Sequence, residues 1–326
     1  MPRESRPTRD HYAEITNQIV AALEAGTPPW RKPWDSAKAG GPCMPQNAVT
    51  GTRYRGINVL TLGMSPLAFA TCDHRWATYK QAQDRGWQVR KGAQGVTGFF
   101  YKRIEVDRGD AGDKGGSSEG GKWFPLLRSF TLFHASQIDG VPDYRPPGVE
   151  EAPWRASDAT ETILRNSGAV IRIGGDRAFY STLTDHIQMP PQHAFRSAAA
   201  LSSVQMHELA HWLGAEHRLK RDLSGRFGSE LYAQEELRAE LTQMLVCAEL
   251  GIEDCDFING AAYLAEWIKK IREDKREIFR AAAEAQRIAD YLLAFHPAYA
   301  AQRSASAKDG PASGGEQNEQ PFRAAA

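Results

Sequence analysis

His207-Glu208-Leu209-Ala210-His211 constrains this chain more than any other stretch, because two imidazoles and a carboxylate fall within five residues of a helically patterned segment. At about 3.6 residues per turn, positions four apart share a face, so both His side chains can reach one zinc ion. Glu208 follows the first His and lies beside the metal position, where a carboxylate can take a proton from an attacking water. Val204, Met206, Leu209, Ala210, Trp212 and Leu213 make the surroundings apolar, as a ligand helix buried in a core requires. The bland alternative, a surface helix with two solvated His, fits that setting poorly. The pattern is that of zinc-dependent peptide hydrolysis.

A structural zinc takes four protein ligands and a catalytic one leaves a position open, so one further ligand is wanted. Glu236 and Glu240, in the helical stretch that opens at Gln234, are spaced i, i+4, so that one carboxylate can bind the ion while the other orients a ligand His from behind. This resembles the arrangement in gluzincin-type peptidases, with Glu236 as third ligand, Glu240 behind it and Glu235 as competitor. A second possibility stays open, because Gly214 and His217 complete the metzincin pattern H-E-x-x-H-x-x-G-x-x-H. The Met-turn that goes with that pattern has no suitable Met, since Met244 lies inside a helical pattern and no later Met exists.

The chain has 326 residues, enough for two domains, with an ordinary soluble composition of 41% hydrophobic and 25% charged residues. Without an apolar run of about 18 residues or a signal-peptide core at the start, a cytoplasmic protein without membrane contact is expected. Cys43, Cys72, Cys247 and Cys255 are unpaired in spacing and read as reduced thiols. A net charge of zero hides an asymmetry: 20 basic against 14 acidic side chains through Arg145, and 20 against 26 afterwards. The basic half also holds five of the eight Trp, namely Trp30, Trp34, Trp76, Trp87 and Trp123. Cations that follow phosphates and rings that stack on unpaired bases are what single-stranded nucleic acid requires, although buried core is the commoner fate of a Trp.

The fold expected is α+β with two domains: a mixed α/β domain over residues 1–138, a proline-rich linker over 139–155, and a mainly helical domain with a small sheet over 156–300. The remainder, 301–326, reads as a disordered tail. In the first domain a helix over 10–25 ends at Gly26-Thr27-Pro28-Pro29, a further helix covers 76–85, and strands near 98–106 and 122–134 flank a polar hairpin tip at 107–121. In the second, strand patterns around 170–173, 178–180 and 185–190 precede the His-bearing helix. Asp185 to Pro190 is read as an edge strand on which a peptide could be laid.

The chain resembles ArdC-type antirestriction proteins. The resemblance is carried by Pro29-Trp30-Arg31-Lys32-Pro33-Trp34, Tyr54-Arg55-Gly56-Ile57-Asn58, Trp76-Ala77-Thr78-Tyr79-Lys80-Gln81-Ala82, Val89-Arg90-Lys91-Gly92, Asp185-His186-Ile187-Gln188-Met189-Pro190, the His-Glu pentad and Tyr232-Ala233-Gln234-Glu235-Glu236. It implies an N-terminal single-stranded DNA-binding domain, a C-terminal gluzincin-like metallopeptidase domain, and protection of incoming plasmid DNA that enters a recipient as a single strand. It also favours Glu236 over His217 as third ligand.

The expected site comprises His207, His211 and Glu236 around one Zn2+, with Mn2+ or another divalent ion as substitute and no small-molecule cofactor. Glu208 is the general base, and His186 and Tyr180 are candidate donors to a tetrahedral oxyanion. Trp30, Arg31, Lys32, Trp34, Arg53, Tyr54, Arg55, Lys80, Arg90 and Lys91 are candidate contacts to single-stranded DNA, with Tyr79 a further ring that could stack or pack. Other readings are a DNA-associated zinc protease whose role is to cleave a protein, and a metal-dependent nuclease; two His and one carboxylate around one ion suit amide hydrolysis better than two-metal phosphoryl chemistry.

Overall fold

The computed structural model describes residues 10–26, 28–30, 44–70, 73–105, 123–144, 156–252 and 260–301. The polar hairpin tip at 107–121, most of the expected linker and tail, and Arg31, Lys32 and Trp34 lie outside them. Helix α1 (His11–Glu24) is started by the Asp10 carboxylate, which accepts from Ala13 N at 3.1 Å. Its Ile15, Ile19, Val20 and Leu23 form one buried stripe. Then come β1 (Gln46–Asn47), α2 (Ile57–Gly63), α3 (Leu67–Ala70), β2 (Arg75–Thr78), α4 (Tyr79–Asp84), β3 (Gln88–Val89), β4 (Val96–Glu105), β5 (Trp123–His134) and β6 (Ile138–Asp139). The main sheet has the order β1-β2-β5-β4, with β1 parallel to β2 and the other pairs antiparallel. Gly56 opens α2 with φ 56°, a conformation that a side chain would strain.

The expected helix over 76–85 is corrected at its start. Residues 75–78 are strand, with Trp76 opposite His134, and the helix begins only after Thr78. Thr78 and Gln81 form a reciprocal capping box there, which fixes the switch from strand to helix.

The C-terminal half comprises α5 (Ala156–Ser167), β7 (Val170–Ile173), β8 (Phe179–Ser181), β9 (His186–Met189), α6 (Ala198–Trp212), α7 (Glu230–Leu250), α8 (Gly260–Glu273) and α9 (Glu277–Ala294). The three strands run in the order β7-β9-β8, so β9 is central and β8 is an open edge beside α6. This corrects the reading of residues 185–190 as an edge strand. Helix α6 is buried on most of its circumference, through Ser203, Val204, Met206, Leu209 and Ala210, and packs against α7. Helix α7 is capped by Ser229, whose hydroxyl accepts from Tyr232 N at 3.2 Å, and stops at Gly251 with φ 68°.

The halves share one interior. Ile15, Ile19, Leu23, Trp30 and Phe99 pack in the same cluster as Trp267, Ile271, Ile278 and Phe279, with α1 against α8 and α2 against α9. At the boundary Arg55 pairs with Asp290 and Gly56 N donates to Gln286 Oε1 at 3.0 Å. Among the described residues, no helix is long and apolar enough to cross a membrane.

Candidate metal centre

His207 and His211 project from one face of α6, and Glu236 enters from α7. The two Nε2 atoms are 3.1 Å apart, and each lies 3.5 Å from a Glu236 carboxylate oxygen. A tetrahedral ion with bonds of about 2.0–2.1 Å sets its ligand atoms about 3.3 Å apart, so the two Nε2 atoms are spaced as neighbours on one ion, and Glu236 turns Oε2 toward His207 and Oε1 toward His211. Among the described residues, this triad is the one group of His, Cys, Asp and Glu side chains placed to hold an ion. Both other ring nitrogens are occupied: His207 Nδ1 contacts Gln243 Oε1 at 3.2 Å and His211 Nδ1 contacts Glu235 Oε1 at 3.1 Å. These contacts favour a proton on each Nδ1, so that Nε2 is the nitrogen left to bind an ion once it carries no proton.

Glu235 is thus held away from ligand position, and Glu240, expected behind the ligand His, is corrected. The Glu240 carboxylate accepts from Trp30 Nε1 at 2.6 Å, and Gln243 and Glu235 take the orienting role instead. Arg221 closes on Glu235 with two bonds of 2.6 and 3.0 Å and caps the end of α6 with a 2.6 Å bond to Ala210 O. Gly214 allows the chain to turn sharply here, since a Cβ would lie 2.9 Å from both His211 O and a Leu223 methyl. That turn carries His217 to Asp185 Oδ2, 3.5 Å away, and to Arg218, so the metzincin ligand position is not filled.

Glu208 is only 6% exposed, and one carboxylate oxygen, Oε2, is buried without a hydrogen-bond partner. The backbone N–H of Tyr180, on edge strand β8, donates to this carboxylate. Burial raises the pKa of Glu208, and the two neighbouring imidazoles oppose it. Burial would also raise Glu236, but hydrogen bonds and charge from His207 and His211 outweigh it and hold that carboxyl below the usual range. For His211, burial lowers the pKa while Glu235 and Glu236 outweigh it and carry the ring to about 10.

In the metal-free protein His211 is therefore protonated at neutral pH, and that proton must leave before Nε2 can bind an ion. Acid favours the protonated ring and opposes the metal, so apparent affinity is expected to climb as pH rises toward 10. One proton released per ion corresponds to about 100-fold between pH 6.5 and 8.5, measurable by chelator competition. A flat profile would contradict the exchange of proton for metal.

Tyr180 and His186, expected as oxyanion donors, have other partners. The Tyr180 hydroxyl donates to Asp185 Oδ1 at 2.8 Å and accepts from Arg218, and His186 Nδ1 lies 2.6 Å from Thr184 Oγ1. Tyr180, Asp185, Gly214, His217, Arg221 and Leu223 line a cleft of about 460 Å³. The hydroxyl that sequence reasoning missed is Tyr232, one helical turn before Glu236. Burial and then the Glu236 charge raise its pKa, and its ring packs with Tyr263 and the exposed Phe227. Its i, i+4 spacing to Glu236 was the available signal.

In the N-terminal half, Trp30 and Tyr54 are corrected as stacking candidates. Trp30 is 5% exposed and Tyr54 2%, with the Tyr54 hydroxyl accepting from Asn47 Nδ2 at 3.2 Å. Neither ring can meet a base where it stands. Arg53 and Arg55 pair with Glu249 and Asp290 across the boundary, which takes up their charge. Arg90 is half exposed and pairs with Asp139 at 2.7 Å. Lys80 and Lys91 are exposed, and Tyr79 is 52% exposed beside them in sequence.

A His-Glu-x-x-His helix completed by a glutamate from the next helix defines a zincin-like metallopeptidase-type site. Residues 158–284 match the family described as zincin-like metallopeptidase, and residues 9–133 match the N-terminal domain of anti-restriction factor ArdC. The antirestriction protein ArdC of plasmid R388 superposes with a TM-score of 0.73 in its metal-free structure, at 37% identity over 89% of this chain and 99% of that one. Its Mn(II)-bound structure gives 0.71 at the same identity, covering 88% and 98%. The chain belongs to the ArdC antirestriction family. It is also 39% identical to the uncharacterised protein y4eC of Sinorhizobium fredii (strain NBRC 101917 / NGR234), over 90% of this chain and 94% of that one. Two Escherichia coli proteins named DNA primase TraC are each 40% identical over 89% and 95% of this chain, which spans only 20% and 29% of their lengths.

Proposed function

We propose that the protein binds single-stranded DNA without strong sequence preference, carries a zinc site of metallopeptidase type, and protects incoming plasmid DNA in the cytoplasm of a recipient cell. The observation that carries this reading is the three-donor face of His207, His211 and Glu236 beside a buried, half-unpartnered Glu208. Two imidazoles and one carboxylate are a donor set that suits zinc, with Mn2+ as a workable substitute. The ion, when bound, supplies Lewis-acid polarisation of a carbonyl.

The chain's own residues do the rest. Glu208, fixed by the Tyr180 N–H and raised in pKa by burial, takes a proton from the attacking water and passes it to the leaving amine. The open edge of β8 offers backbone groups along which an extended peptide can lie. Tyr232 is the hydroxyl placed to donate to developing negative charge beside Glu236. For DNA, the exposed Tyr79 and Lys80 lie on α4 and the exposed Arg90 and Lys91 directly follow β3, the strand that contacts α4, so the two segments combine a ring with phosphate-seeking cations.

The test is Glu208→Gln, studied beside the wild type. It is expected to keep one metal ion per chain, to keep its affinity for labelled single-stranded oligonucleotide with the same salt dependence, and to lose at least about 100-fold in peptide hydrolysis. Equal affinity for duplex and single strand would refute the DNA part. Restriction protection that survives in the variant assigns protection to DNA binding; protection lost with hydrolysis favours the alternative of a DNA-associated protease acting on a protein.

A further inference from the structure

Two indoles brace the helix that carries Glu236. Trp267 of α8 donates its Nε1–H to Ala233 O at 2.7 Å, and Trp30 donates its own to Glu240 Oε1 at 2.6 Å. Ala233 lies three residues before Glu236 and Glu240 four after it, so the two bonds bracket the third metal donor on α7. The rings lie with centroids 6.0 Å apart and planes tilted by 58°, and both are buried. Trp267 comes from the same half as the metal donors. Trp30 does not: it follows α1, in the N-terminal domain.

A hydrogen bond from a neutral N–H to a buried carboxylate is charge-assisted, and leaving such a carboxylate short of a donor is costly. Glu240 is 3% exposed and shares a face of α7 with Glu236. A rotation of α7 by about 10° would carry a carboxylate about 6 Å from its axis through about 1 Å. Ligand constellations tolerate about 0.5 Å. A restraint on Glu240 is therefore a restraint on where the Glu236 oxygens sit.

We infer that Trp30 is a positioning residue of the metal centre, through which the N-terminal domain holds Glu236 in ligand position. This rests on the reading of the triad as a divalent-metal site. Trp30 touches neither the ion nor a substrate; it acts through Glu240 and α7.

The experiment uses the full chain loaded with Co2+, whose visible absorption reports ligand geometry, with affinity measured by chelator competition. Trp30→Phe keeps a ring in the cavity and removes the N–H. It is expected to weaken Co2+ binding about 10-fold and to shift the absorption band. Glu240→Gln leaves an acceptor for the indole but removes its charge, and is expected to cost less, with the double variant no worse than Trp30→Phe. Trp76→Phe, at a buried indole of the main sheet, is the control: a lower thermal midpoint with unchanged affinity and spectrum. If Trp30→Phe behaves like that control, the inference is overturned, whatever Glu240→Gln does. Wild-type protein that takes up no Co2+ would overturn the metal reading, and this inference with it.

Discussion

Glu236→Ala is expected to reduce divalent-metal affinity by at least about 100-fold, enough to lose stoichiometric binding at micromolar protein. The two His alone leave an ion with half the contacts it needs and with no protein charge to offset its own. Glu235→Ala is expected to cost nearer 10-fold, because it removes the partner that orients His211 and leaves all three donors in place. Isothermal titration of the metal-free variants separates the cases. If Glu235→Ala were the more damaging of the two, the assignment of the third ligand to Glu236 would be wrong.

The second large effect is expected at Arg221. Its guanidinium and the Glu235 carboxylate are 7% and 10% exposed, and removing Arg221 takes two charge-assisted hydrogen bonds from a buried carboxylate and leaves it the His211 ring as remaining partner. Arg221→Met should therefore destabilise the fold by about 3 kcal/mol. It should also release the turn that Arg221 ties to Ala210 O, and through Glu235 weaken metal binding. Arg221→Lys should recover only part of the loss, since a point charge cannot reproduce the two-bond fork. Urea denaturation of the metal-free forms measures the first effect. A loss below about 1 kcal/mol for Arg221→Met would mean that water compensates Glu235 and that the loop stands without this pair.

How far these residues could be read in advance depended on whether their role is local. The His pair and Glu208 are set by helical spacing within one turn and a half, which a string of letters displays directly. Glu236 followed from the same rule applied to a second helix. The division of labour among Glu235, Glu236 and Glu240 did not, because three carboxylates within six residues point in directions that only the partner helix can select. Gln243 carries no charge and drew no attention, yet it faces His207 Nδ1. The basic and aromatic interleaving around Trp30 suggested a surface for bases, but the indole needed a hydrogen-bond acceptor and found one across the domain boundary. The central place of β9 is a property of strand order, to which alternation along a strand is blind. The start of α4 was legible and was missed, since Thr78 and Gln81 spell a capping box.

The shared interior has a consequence for inheritance. When one apolar interior takes its side chains from both ends of a polypeptide, recombination that separated the ends would leave each with an uncovered greasy face. Such a pair can move between genes only as a single cassette. The two TraC proteins fit that rule: within chains several times longer, the homologous stretch matches 89% and 95% of this one, so it takes in residues from both halves.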